Sequence, residues 1–360
     1  MGEPLDGTDD DTPMLFRVIL QIIPYLGGAE LCALRATSGF MYGTVETYIS
    51  YIATQRRASL GLGCSYKTSN IRLYTITKLT NMAAECAMRD PAPWRSLLTL
   101  EFTRRHCTIH NLSQFYLLRT LYISNTNLEI FPESICQLRT LRFLSFHNCD
   151  LTTLPESLGQ LTTLQLLDLD HNKLIMLPGS IDQLTELKCL YFRANKFVML
   201  PVSVSRLVML QHASFGWNKI TTFPESFDRF AVLRILDLSH NLLTTLPVSI
   251  GRLTALKILH LSCNRLTEIP ESIGQLTELE ELCLQSNRLT ILPKSIDRLI
   301  TLRTLYLNNN QLTKIPESIG QLTALQSIGF ENNWTRRTPD FINSFFILSA
   351  ATGTYTRTSH

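Results

Sequence analysis

From Leu118 onward the chain repeats itself every 23 residues, and few folds can accommodate such a period. The leading leucines are Leu118, Leu141, Leu164, Leu187, Leu210, Leu233, Leu256, Leu279, Leu302 and Leu325, with no slip of register between them. The ten copies extend to about Leu348. One unit, Leu233–Leu253, reads LRILDLSHNLLTTLPVSIGRL. Its Leu236 and Leu238 alternate with polar neighbours, as in a short strand with one buried face. Strands of successive copies run the same way, so they should pair into one parallel sheet. Eight residues after the leading leucine stands asparagine at 172, 195, 218, 241, 264, 287, 310 and 333, with Thr126 and Cys149 in the first two copies. A side-chain amide both donates and accepts, which suits a buried turn whose backbone groups have no ladder partner. A proline follows in every copy, from Pro132 to Pro339, and ends the extended segment. The return stretch of PESIGQL type has room for only one or two helical turns. A single copy buries too little apolar surface to offset its ordering entropy, whereas a stack buries a continuous core.

The phrase IPESIGQLTELEELCLQSNRLT at Ile269–Thr290 resembles leucine-rich repeat proteins of the 23-residue intracellular type. Similar phrasing occurs in Ras-pathway scaffolds, plant intracellular leucine-rich repeat proteins, polarity scaffolds and many pathogen proteins. The resemblance implies an α/β fold, a right-handed solenoid or horseshoe with a concave parallel β-sheet. It also implies a protein-binding role.

The remaining segments divide the chain further. Residues 1–12 are expected to be a disordered tail, 13–58 a small helical segment, 59–96 a linker, 97–348 the repeat domain and 349–360 a flexible tail. Leu97, Leu100 and Phe102 read as a degenerate opening strand, with Cys107 on its buried side. Thr335 and Thr338 break the apolar columns, and Phe341, Ile342, Phe345 and Phe346 are expected to pack as a closing helical segment. Within 13–58, Ile22, Ile23, Pro24, Tyr25 and Leu26, then Leu31–Leu34, then Ala36–Phe40 resemble the successive phrases of an F-box. That resemblance implies docking to Skp1 through Ile22, Ile23, Pro24, Leu26, Leu31, Leu34 and Phe40. Met14-Leu15 stands where Leu-Pro is usual, acidic residues are missing, and Phe40 replaces tryptophan. The other reading of this segment is a cap over the open edge of the first repeat.

Composition narrows the partner class. A formal net charge of +3 is too small to require nucleic acid or an anionic membrane, and no apolar run is long enough to span a bilayer. The start MGEPLDGTDDD lacks the basic and apolar pattern of a secretory signal. Nine cysteines, an odd number, lack paired spacing, and Cys189, Cys263 and Cys283 are expected to face outward as reduced thiols. A cytoplasmic location is therefore expected.

Function should reside on the outward side chains of the strands, since the inward ones are committed to the core. Asp168, Asp170, Tyr191, Arg193, His212, Trp217, Asp237, His240 and His260 form the candidate partner-binding patch, rich in the residue types that anchor interfaces. Trp217 is expected either to meet a partner or to pack on Lys196 or Lys219. Lys173, Lys196, Lys219, Arg265 and Arg288 stand one residue past the asparagine column and make a basic rim, which could steer an acidic protein. Neighbouring His–Cys pairs arise at Cys189 with His212, His240 with Cys263, and His260 with Cys283. A metal site needs three or four converging ligands, and a sheet that holds its side chains parallel is not expected to converge them. Nor does anything build an oxyanion hole for a Cys–His or Ser–His pair. The reading is therefore a protein–protein interaction scaffold with no enzymatic activity, cofactor or metal. The alternative is an F-box-type substrate receptor of a cullin ubiquitin ligase that contacts Skp1, and a hydrolase or metal enzyme ranks third.

Overall fold

The computed structural model describes residues 99–102, 112–335, 341–342, 346–349 and 354–357. The chain divides into two units, Met1–Pro91 and Ala92–His360. The expected helical segment with its F-box-like residues Ile22 to Phe40 lies outside the described residues, as do the whole expected linker, Leu97 and Cys107.

Thirteen strands are present among the described residues: β1 (Thr99–Phe102), β2 (Thr120–Ser124), β3 (Phe143–His147), β4 (Leu166–Asp168), β5 (Cys189–Tyr191), β6 (His212–Ser214), β7 (Ile235–Asp237), β8 (Ile258–His260), β9 (Glu281–Cys283), β10 (Thr304–Tyr306), β11 (Ser327–Gly329), β12 (Phe346–Ser349) and β13 (Thr354–Arg357). They form one sheet in chain order up to β11, which is then followed by β13 and β12. Every pair from β1 to β11 is parallel. Because the period never slips, equivalent residues are opposite one another: Asp168 pairs with Tyr191, Tyr191 with Ser214, Ser214 with Asp237, and Asp237 with His260. Leu236 and Leu238 are buried, as are Leu100 and Phe102 of the opening strand.

The asparagine column behaves as its chemistry requires. The Asn241 amide donates to the carbonyls of Phe215, Leu238 and Ser239 at 2.9, 3.0 and 3.2 Å, and its oxygen accepts the Ile220 N–H at 2.9 Å. Each such side chain ties its own turn to the preceding repeat. Where asparagine is absent, a substitute chain appears. The Thr126 hydroxyl donates to Cys149 Sγ at 3.1 Å, and that thiol faces the carbonyls of Ile123 and His147 at 3.4 Å. Burial pushes the Cys149 thiol pKa up, which keeps it protonated and able to donate.

One position before each asparagine the backbone is left-handed, with φ of 56° at His171 and Trp217 and 52° at His240. One residue in each repeat must therefore adopt a conformation that costs most side chains energy. After each repeat proline from Pro132 to Pro316 comes a single 3-10 turn of five residues, such as Glu271–Gln275. The glutamate after the proline reaches across to the next repeat. Glu156 accepts the N–H groups of Gly179 and Ser180 at 3.0 and 2.9 Å, and Glu271 does the same for Lys294 and Ser295. These four bonds satisfy turn donors that have no partner within their own turn.

The core changes character in the fifth repeat. Phe215, Phe223, Phe227 and Phe230 are all buried there, in columns held mainly by leucine and isoleucine elsewhere. Ala213, pairing with Leu190 and Leu236, is the one alanine in a column of leucines that ends with Ile328. A leucine at 213 would add volume to a repeat that already buries four rings, and interiors packed to near-crystal density have little room for it. Ala213→Leu restores the consensus residue, yet it should destabilise the protein by about 1–2 kcal/mol through overpacking. A lowered urea midpoint would show this, and an unchanged or raised midpoint would contradict it.

The far end differs from expectation. Phe341 and Ile342 are buried and helical as expected. Phe346, however, opens a strand rather than continuing a helix, and part of the expected tail is β13. Thr354–Arg357 pairs antiparallel with β12 and with β11, and Tyr355 stacks on Phe330 with ring centroids 5.0 Å apart. The hairpin occupies the edge of β11, whose unpaired backbone groups would otherwise template association.

Candidate functional site

The outward side chains of β3 to β9, with the left-handed residues beyond them, form one continuous surface. At its centre Trp217 lies parallel to the His240 imidazole, with centroids 3.8 Å apart and planes 17° from coincidence. The Arg193 guanidinium carbon is 6.0 Å from the Trp217 ring centroid. Trp217 therefore packs against a histidine and an arginine from the adjoining repeats, and it remains 49% exposed. Burial, then the charge of Arg193, holds the His240 pKa below the usual imidazole value, so the stack is neutral at physiological pH. The adjoining pair, His147 and His171, has ring centroids 5.0 Å apart. Burial and then His147 depress the pKa of His171. Tyr191 and His212 approach at 3.5 Å, and burial lowers the pKa of His212 as well.

Carboxylates flank this aromatic centre and are held in place. Asp168 accepts from the Ser145 hydroxyl at 2.8 Å and from the Asp170 N–H at 3.0 Å. Asp237 accepts from the Ser239 N–H and hydroxyl at 2.9 and 2.6 Å, and from the Ser214 hydroxyl at 3.2 Å. Gly216 permits that arrangement, since a Cβ there would lie 2.8 Å from Asp237 Oδ2.

Asp170 accepts the Arg193 N–H at 2.6 Å, yet burial and the neighbouring Asp168 push its pKa up to about 7. The folded protein therefore retains this proton far above the unfolded carboxyl value of about 3.9. This contribution to stability is largest at low pH and falls as pH rises through the interval between the two values. Asp170→Asn keeps the acceptor and removes the charge. It should stabilise the protein by about 1 kcal/mol at pH 8, an estimate discounted for solvent at this half-buried position, with the gain vanishing toward pH 4. Melting curves of both proteins across that range test the sign directly.

The basic residues line the flank of this surface. Lys173 is paired with Asp150 at 2.9 Å, and Lys196, Lys219, Arg265 and Arg288 are exposed. The rim is also apolar, which the column reading missed. Two and three residues beyond the lysines, Ile175, Met176, Val198 and Met199 are all more than half exposed.

Two clusters do converge, contrary to the expectation from parallel side chains. His147, Asp168 and Asp170 offer ligand atoms within 4.8 Å of one another, as do His260, Glu281 and Cys283. Cys283, expected to face outward, is buried, and its thiol donates to Glu281 Oε1 at 3.3 Å. Glu281 draws both neighbours in by accepting from them, and in its column it stands among apolar, cysteine, histidine and hydroxyl residues.

Family models for leucine-rich repeats match at residues 94–222, 233–289 and 301–322. No curated protein sequence matches the chain. Among solved structures, a leucine-rich repeat protein of Leptospira interrogans is 32% identical with a TM-score of 0.67, and the match covers 72% of each chain. The plant peptide hormone receptor RGFR1, solved in complex with RGF2, is 26% identical with a TM-score of 0.58, covering 66% of this chain and 40% of the receptor. The functional domain of InlJ from Listeria monocytogenes, which includes a cysteine ladder, is 25% identical with a TM-score of 0.59, covering 68% of this chain and 51% of that one. Domains of this kind mediate protein–protein interaction, and among the described residues no helix is long and apolar enough to cross a membrane. The period, the ordered parallel sheet, the asparagine ladder and these matches agree: the chain belongs to the leucine-rich repeat proteins.

Proposed function

We propose that the protein is a binding scaffold whose concave strand face grips a protein partner around Trp217. The observation that carries this reading is the conformation of Trp217 itself. A large aromatic residue occupies a left-handed backbone position, φ 56°, with half its surface in solvent. Four other copies place asparagine there, at 125, 148, 309 and 332, a residue that tolerates this conformation at little cost. Nothing in the fold requires tryptophan at this point. A partner that covers the ring, the Arg193 guanidinium and the His240 imidazole would recover the energy lost in folding. Asp168, Asp170, Tyr191, His212, Asp237 and His260 surround this anchor, and the basic, apolar flank favours a partner bearing acidic and apolar side chains.

Site-specific photo-crosslinking tests the assignment. A crosslinking amino acid at position 196, exposed on the flank of this face, should capture a discrete partner, whereas one at 275, on a return turn, should not. Adducts from 275 alone would overturn the proposal.

A further inference from the structure

The geometry points to a zinc-binding site formed by His260, Glu281 and Cys283 on adjacent strands β8 and β9. Glu281 Oε1 is 3.0 Å from His260 Nε2 and 3.3 Å from Cys283 Sγ. Zinc bonds of about 2.0–2.3 Å to nitrogen, oxygen and sulfur place tetrahedral ligand atoms roughly 3.3–3.6 Å apart. Two of the three edges are thus at or just inside that spacing. The third, from His260 Nε2 to Cys283 Sγ, is no longer than 4.8 Å and closes by a side-chain rotation.

Register sets the site. His260 pairs with Cys283 across the two strands, and Glu281 stands two residues before Cys283 on the same face. The donor set of one thiolate, one imidazole and one carboxylate is borderline-soft. It suits zinc and disfavours magnesium, calcium and manganese, which take oxygen ligands. His260 and Glu281 side chains are each 35% exposed, so an ion can enter from the strand face. Asp237, the next residue along the row, is tied to Ser239 and Ser214, which leaves the fourth position to water.

Metal would replace hydrogen bonds that already link the three side chains. In the metal-free cluster Glu281 accepts from the Cys283 thiol and from His260, whose pKa its charge and hydrogen bond raise against the opposing effect of burial. The Cys283 thiol must give up its proton to ligate, so zinc binding releases protons and tightens as pH rises.

Cobalt(II), a spectroscopic stand-in for zinc, tests the site in the full chain kept reduced with a phosphine. Wild-type protein should develop a sulfur-to-cobalt charge-transfer band together with intense tetrahedral visible bands, and zinc should abolish both. Cys283→Ser should remove the charge-transfer band. Glu281→Gln, which preserves shape, should weaken zinc affinity at least about 100-fold, the upper range seen when even outer-shell partners of a zinc site are lost. Zinc should raise the melting temperature of the wild type and of neither variant. Absence of the band in wild type would overturn the site, as would a band indifferent to both substitutions. Agreement of the melting shifts with the spectra distinguishes loss of ligand from loss of fold.

Discussion

Asn241→Leu is expected to lower the stability of the repeat domain by about 4 kcal/mol, in the upper range for single substitutions. Leucine has the branching and the heavy-atom count of asparagine but bulkier methyls, so lost hydrogen bonds are joined by some crowding. The N–H of Ile220 would lose its acceptor in a site where Asn241 is only 4% exposed, and the carbonyls of Phe215, Leu238 and Ser239 would each lose one of two donors, keeping Asn218, Asn264 and the Trp217 N–H. The orphaned N–H costs about 1–3 kcal/mol, and the three lost amide bonds, each about 0.5–1.5 kcal/mol, supply the rest. Two companion substitutions separate this cause from simple crowding. Asn241→Asp retains the acceptor for Ile220 but aims a carboxylate at three carbonyls, so it should be at least as damaging. Asn241→Cys should fall between wild type and leucine, since the protein already uses the Cys149 thiol at the equivalent position. Urea unfolding supplies the order of midpoints: wild type, cysteine, then leucine and aspartate. A leucine variant as stable as wild type would mean that the column merely fills space.

The features legible in the sequence were those repeated with the period. The leucine columns, the strand direction and the asparagine ladder follow from one rule applied ten times, because each repeat meets the same two neighbours. The size of the return segment was equally visible, as five residues after a proline permit a single turn. What departs from the period was harder to read. Thr354–Arg357 has no counterpart in the repeats, and its pairing with β11 depends on an edge that exists only at the last copy. Cys283 was placed outward by alternation alone. Its burial depends on Glu281, one acidic side chain leaning toward its neighbours, and strand periodicity carries no information about side-chain lean. The coincidence of a small Ala213 with four phenylalanines in one repeat shows on reading down the columns for volume rather than for polarity. Trp217 was marked by residue type, but its partner proved to be His240 rather than a lysine, because rings in the left-handed column are stacked at the strand spacing.

That left-handed column also gives the second large effect a distinctive signature. Trp217→Asn is expected to weaken partner binding by about 2–3 kcal/mol, or 30- to 150-fold, as truncation of a central aromatic anchor does. The same substitution should leave stability unchanged or raise it, since asparagine tolerates φ near 56° better than tryptophan. A residue kept for the fold would give the opposite pair of results, lower stability with affinity falling only as the folded fraction falls. Arg193→Ala should follow Trp217→Asn in direction. The two should be less than additive by about 1 kcal/mol, because the guanidinium lies 6.0 Å from the ring it helps to present. Lys196→Ala on the flank should change affinity little and act mainly on the association rate, an effect that salt erases. Calorimetry with the partner captured through position 196, paired with melting curves of each variant, measures both halves of the signature. Equal affinity of Trp217→Asn and wild type would remove the tryptophan from the interface, and the left-handed ring would then need another reason to be there.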